Sequence, residues 1–129
     1  MEMTITFPGG KKVAAHFGRF TIPTDQPRAA GGDDSAPAPF DLFLASIGTC
    51  AGIYVLGFCQ QRGIDTTGLS LSQSIHFNRE TRLVDSIRLT IHLPQNFPEK
   101  YRSAILATAN LCTVKKHLEH PPAITVEAV

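Results

Sequence analysis

The sequence predicts an α+β protein in which antiparallel strands wrap a long, buried central helix. Three observations carry that prediction. Stretches at 2–7, 13–17, 19–22, 69–77, 83–93 and 124–129 have the composition or the period-two alternation of short strands. One run, 39–61, is helical in length and apolar all round, with no charge from Leu42 to Cys59. Such a helix is covered on every side by its own fold or lies in a membrane. The elements come in the order βββ–α–ββ–α–α–β, strands grouped rather than strictly alternating with helices, which is the α+β pattern.

In chain order, Met3, Ile5 and Phe7 share one face of the first strand, and Pro8-Gly9-Gly10 supplies turn chemistry before the second. Residues 23–39 (PTDQPRAAGGDDSAPAP) lose all periodicity and form a long loop, a length that often marks a binding loop or lid. Pro39 suits a helix start and Asp41 the positive end of its dipole. The hairpin 69–77/83–93 follows, joined through NRETR. Asn96 is placed to cap a helix over 99–112, with Pro98 in or near its first turn. Thr113 is placed to cap a second short helix over 114–120, ended by Pro121-Pro122, and 124–129 closes the chain as a strand.

With 129 residues, one domain over 1–129 is expected. A content of 43% hydrophobic and 18% charged residues excludes wholesale disorder. Twelve basic against eleven acidic residues give a net charge of +1, which leaves no electrostatic footprint for nucleic acid. Basic residues are scattered apart from Lys11-Lys12 and Lys115-Lys116, so no polybasic membrane patch stands out. Ser46, Thr49 and three glycines lower the hydropathy of 42–59, and the strands need a core helix, so no membrane span is expected. The opening MEMTITFPGGKK has no apolar run of a secretory leader. Three cysteines are too few for a disulfide framework, and a reducing, cytoplasmic location is expected.

The cysteines hold the most chemical information. Cys50 lies mid-helix among Gly48, Thr49, Ala51 and Gly52, a collar that leaves room beside the sulfur. Cys59, nine residues on, is about 13 Å along the helix axis and on the opposite face, beyond the ~7 Å Cα separation a disulfide tolerates. It is expected to be a buried apolar residue. Cys112 precedes a helix start and Lys115-Lys116, surroundings that favour a thiolate. Gly48 and Gly52 form GxxxG, which admits close approach of another helix. No CxxC, HxxxH or HExxH metal pattern occurs. His76 and His92 fall on polar strand positions, and His117 and His120 on a solvated helix face, while His16 lies near the long loop.

The stretch AGGDDSAPAPFDLFLASIGTCAGIYVLGFCQQRGID and the later ANLCTVKKHL, in this order on these elements, resemble the OsmC/Ohr superfamily over essentially the whole chain. The resemblance implies an intertwined homodimer with two cysteines in a pocket at the subunit interface. It implies thiol-dependent reduction of organic hydroperoxides in oxidative-stress defence. Cys50 then stands at the place of the peroxide-attacking cysteine and Cys112 at that of the resolving one. Where the well-studied reductases carry a supporting glutamate directly after the helix-starting Pro, this chain has Phe40, with Asp41 one residue later. Arg19 is the nearest candidate for the family's activating arginine, Arg28 the next, and His16 a third cation. Phe40, Phe43, Tyr54 and Phe58 are candidates for an apolar substrate wall. No cofactor is implied; an external dithiol protein supplies the reducing equivalents. The competing expectation is a redox-sensing or small-ligand-binding module of the same fold without fast turnover.

Overall fold

Thr4–Gly9 (β1), Lys12–Phe17 (β2) and Phe20–Thr24 (β3) form an antiparallel sheet in the order β1-β2-β3 in the computed structural model, which describes residues 1–129. β2 and β3 meet at a two-residue turn, since Phe17 pairs with Phe20. Its first residue, Gly18, has φ 53°, a conformation that favours glycine and matches the strand twist. The third strand starts one residue later and runs two residues further than the 19–22 expected, through Pro23, which pairs with Ala14.

The loop after β3 is ordered by one carboxylate. Asp25 is 1% exposed, and its oxygens accept from the backbone N–H groups of Gln26 (2.8 Å), Asp33 (3.3 Å) and Ser35 (3.1 Å) and from the Ser35 hydroxyl (2.6 Å). A 3-10 turn at Arg28–Ala30 lies within it, and Lys12 pairs with Asp33 at 2.7 Å. Gly32 lies so close to the Gln26 carbonyl that a Cβ there would be 2.0 Å from its oxygen.

Helix α1 spans Pro39–Gln61, the range its sequence predicts. It starts where the Asp41 carboxylate accepts from the Ala38 N–H at 3.1 Å. It ends where Ile64 N–H turns back to the Cys59 carbonyl and Gly63 takes φ 62°. The chain divides into two compact units, Met1–Ala45 and Ser46–Val129.

In the second unit, Ser70–Asn78 (β4) and Leu83–His92 (β5) make an antiparallel hairpin with a bulge at His76/Phe77. Leu71 faces Ile91 across it and Gln73 faces Leu89, all half-buried, while Ser72, Thr90, Ser74 and Arg88 are exposed, so one face packs and one meets water. Val55, Phe58 and Cys59 of α1 and Ile105 form the core cluster, with Leu71 and Ile91 packed against it. Arg62 lies over Phe58, 3.6 Å from the ring centroid, and Tyr101 meets Phe58 edge-on at 5.8 Å. α1 is long and apolar enough to cross a membrane, with a mean hydropathy of 1.9 over its best window, a property that the core helix of a soluble protein shares. In a single chain it is not covered all round: Phe40, Phe43 and Ile53 are exposed.

Four expectations about the C-terminal elements are corrected. The helix foreseen over 99–112 is a 3-10 turn, Glu99–Tyr101, leading into α2 at Arg102–Ala109. Asn96 does not cap it, having a left-handed φ of 63° in the preceding turn. The last helix, α3, is Thr113–Glu119, and its N-cap is Cys112 rather than Thr113, because the sulfur accepts the Lys115 N–H. No strand forms over 124–129, although Ile124 and Val126 alternate as a strand would: the segment pairs with no strand of its own chain, and those side chains are 84% and 94% exposed.

Candidate active site

On α1, Ile47, Ala51 and Val55 recur at four-residue spacing and are all buried. Cys50 stands beside that stripe, partly exposed, one turn before Tyr54. The Tyr54 and Thr113 hydroxyls share a hydrogen bond at 3.1 Å, which ties the Cys50 side of α1 to the start of α3.

Cys112 immediately precedes Thr113 and is 1% exposed. Its Sγ accepts the Lys115 N–H at 3.3 Å, and its carbonyl accepts the Lys116 N–H at 3.1 Å. The thiol thus occupies a helix-cap position usually filled by an oxygen. Cys112 also shares a cavity of about 290 Å³ with Ile47 and Ala51, which flank Cys50 in sequence. Cys112 and the turn of α1 that carries Cys50 thus border one cavity, although Cys50 itself is not among its lining residues. The structure does not bring Cys59 there: Cys59 is fully buried in the core, and burial pushes its thiol pKa up, with Arg62 partly opposing.

Arg19 and Asp41 belong to the first unit. Arg19 follows Gly18 in the β2–β3 turn, its guanidinium 5.3 Å from the Phe20 ring centroid. The Asp41 carboxylate is engaged with the Ala38 N–H. Arg28 lies in the 3-10 turn, and His16 bridges Thr6 (2.8 Å) and Thr21 (3.1 Å) across its sheet.

Phe40, Phe43, Tyr54 and Phe58, the aromatic candidates, do not line the cavity beside Cys112. Phe40 stacks on Phe43 at 5.4 Å, Phe58 is in the core, and Tyr54 makes the bond to Thr113. The cavity beside Cys112 is walled instead by Leu71 of β4 and Ile87, Leu89 and Ile91 of β5. The alternation of the hairpin contained that signal, since those residues share its packed face. Lys115, whose ammonium donates to the Asn110 side-chain oxygen, lines the same cavity, whereas the sequence marks it only as a charge near Cys112.

With this arrangement in view, the family follows. A family model described as OsmC-like protein matches residues 32–127, and the chain belongs to that family. Solved structures share the fold. A putative osmotic stress induced and detoxification response protein from Psychrobacter arcticus is 23% identical, with a TM-score of 0.74 over 88% of this chain and 85% of that one. An OsmC like protein from Mycoplasma pneumoniae is 13% identical, with a TM-score of 0.72 over 93% and 87%. The organic hydroperoxide resistance protein OhrB of Bacillus subtilis is 15% identical, with a TM-score of 0.56 over 94% and 93%. A comparison with curated proteins gives no match.

Proposed function

We propose that the protein reduces organic hydroperoxides through Cys50 and Cys112. The observation that carries this is that Cys112 borders the same cavity as Ile47 and Ala51, on the turn of α1 that holds Cys50, within a chain of the OsmC family. Two structural neighbours, from Legionella pneumophila and Bacillus subtilis, are named organic hydroperoxide resistance proteins, which supports the same substrate class.

The Cys50 thiolate attacks one peroxide oxygen, the O–O bond breaks, and the alkoxide leaves and takes up a proton as the alcohol. Cys50 is then a sulfenic acid. The Cys112 sulfur displaces its hydroxyl, a disulfide forms and water leaves, which protects Cys50 from further oxidation. A dithiol protein reduces the disulfide by exchange and is itself oxidised to a disulfide. Arg19 is the activating residue proposed from the resemblance, whereas Asp41, one residue out of register with the family's glutamate, serves the start of α1; the reaction takes place in the cytoplasm with no resident cofactor.

The working form is a homodimer. Gly52 has open space where a Cβ would stand, and Ile53 beside it is 59% exposed, so this apolar face of α1 is free to receive a second copy.

Stopped-flow consumption of cumene hydroperoxide tests the chemistry. Cys50→Ser is expected to abolish it. Cys112→Ser is expected to permit one turnover and then over-oxidation of Cys50, while its hydroxyl still caps α3. Peptide mapping after one equivalent of peroxide should find Cys50 joined to Cys112 and Cys59 reduced. Full turnover in both variants would leave the small-ligand-binding module as the reading of the fold.

A further inference from the structure

The shortest α-helix of the fold is held by its first turn. α3 has seven residues and no buried side chain. A helix of that length is marginal in water by itself, so contacts at its start fix where it stands. Two of them meet there. Cys112, 1% exposed, caps the helix through its sulfur, and the Thr113 hydroxyl is joined to the Tyr54 hydroxyl of α1 at 3.1 Å. The Thr113 carbonyl also accepts the His117 Nδ1–H at 2.7 Å, which closes the first turn on itself rather than on α1.

The hydroxyl pair links the chain neighbours of the two proposed reactive cysteines. Tyr54 stands one turn beyond Cys50 on the same side of α1, a spacing of about 5–6 Å between Cβ atoms. Thr113 follows Cys112 directly, and adjacent Cα atoms are ~3.8 Å apart. Whatever holds the two hydroxyls together therefore limits how far Cys112 can move from the Cys50 side of α1. To attack Cys50, the Cys112 sulfur must leave the Lys115 N–H. The cap is then gone, and the Tyr54–Thr113 bond remains to hold the start of α3 against α1.

We propose that Tyr54 and Thr113 are positioning residues for the resolving step: their hydrogen bond keeps Cys112 within reach of Cys50 while its sulfur changes partners. The role rests on the Cys50–Cys112 chemistry of the proposed function. In that step the Cys112 thiol gives up its proton, an S–S bond forms, the S–O bond of the Cys50 sulfenic acid breaks, and water leaves. The hydroxyl pair exchanges no proton or electron in it, and the earlier attack on peroxide does not depend on the pair.

Rapid-quench mass spectrometry after one equivalent of cumene hydroperoxide tests this, because the trapped sulfenic acid and the disulfide differ in mass. Tyr54→Phe and Thr113→Val are each expected to slow disulfide formation by roughly three- to tenfold, the effect of one lost hydrogen bond, while Cys50 is oxidised at the native rate. The two changes combined should be no slower than either alone, since each removes the same bond. Thr113→Ser keeps the hydroxyl and should resolve as the native protein does. A second readout needs no peroxide. Glutathione disulfide oxidises the Cys50 and Cys112 thiols and is itself reduced to two thiols, and in Tyr54→Phe this equilibrium should shift towards the protein dithiol by a similar factor. Equal slowing of attack and resolution would make the bond merely structural and overturn the proposal, as would additive losses in the double variant. A native protein that forms no Cys50–Cys112 disulfide in either assay would bring down the peroxidase reading and this role with it. A disulfide that forms as readily in Tyr54→Phe as in the native protein would refute the positioning role alone.

Discussion

Cys112 serves two purposes that compete. As the N-cap of α3, its sulfur holds the Lys115 N–H, and as the proposed resolving thiol it must leave that donor to join Cys50. Each oxidation then costs α3 a cap, an interaction typically worth ~0.5–2 kcal/mol when oxygen provides it. Asp41 presents the opposite case, a candidate catalytic residue whose carboxylate is already employed. It accepts the Ala38 N–H at the positive end of α1. Asp41→Asn is therefore expected to cost about 0.3–1 kcal/mol of stability and leave the rate of peroxide consumption unchanged. A melting curve and a stopped-flow trace on the same sample check both halves, and a hundredfold rate loss at constant Tm would return Asp41 to the chemistry. The placing of Cys50 and Cys59 was legible in the sequence because helix periodicity alone separates their faces. The capping sulfur was not, because Thr113 is the stronger cap by type and only the three-dimensional path of the chain decides which residue stands at the helix entrance.

Among the elements, α1 shows its bounds openly: Pro39 at its start, an uncharged apolar run, and Gly63 just beyond its end. The loop before it hides its order, because a Pro/Gly/Asp-rich stretch has no periodic pattern to read. Its organisation depends on Asp25 meeting donors eight and ten residues away. Those bonds, led by the Ser35 hydroxyl and the Gln26 N–H, lower the Asp25 pKa from 3.8 to about 2. A carboxylate whose folded pKa lies below its unfolded value stabilises the fold above the unfolded pKa, and that contribution is lost as pH falls through the folded one. Asp25 should therefore hold the loop fully above about pH 5 and release it progressively as pH falls from 3.8 towards 2. Asp65 and Asp85 are lowered too, by Thr67 and His76 respectively, so acid sensitivity has more than one source. Comparing native protein with Asp25→Asn isolates the loop. The variant should be less stable at neutral pH, and its Tm should fall less than the native Tm between pH 5 and 2. Parallel Tm curves would show that Asp25 carries no linked proton.

For the whole molecule, what the single chain leaves uncovered is as informative as what it buries. The predicted C-terminal strand has the right alternation and no partner, and Ile124 and Val126 stand in water. Strand formation needs an edge as well as a pattern, and sequence reports only the pattern. The α1 helix, predicted as buried, keeps Phe40, Phe43 and Ile53 exposed for the same reason. A second copy would supply the missing cover in both places; at Gly52 no atom of this chain stands within 4 Å of a Cβ position, whereas at Gly48 the Gln73 side chain already fills that space, so the approach foreseen through GxxxG is open at Gly52 alone. Light scattering at micromolar concentration is therefore expected to give twice the 14.0 kDa chain mass. Ile53→Asp would place a charge in the middle of that contact, where an unpaired buried charge is strongly unfavourable. It should shift the equilibrium towards monomer while barely perturbing the isolated chain, because residue 53 is exposed there. A native protein that scatters as a single chain would refute the dimer. A dimer indifferent to Ile53→Asp would move the interface away from this face of α1.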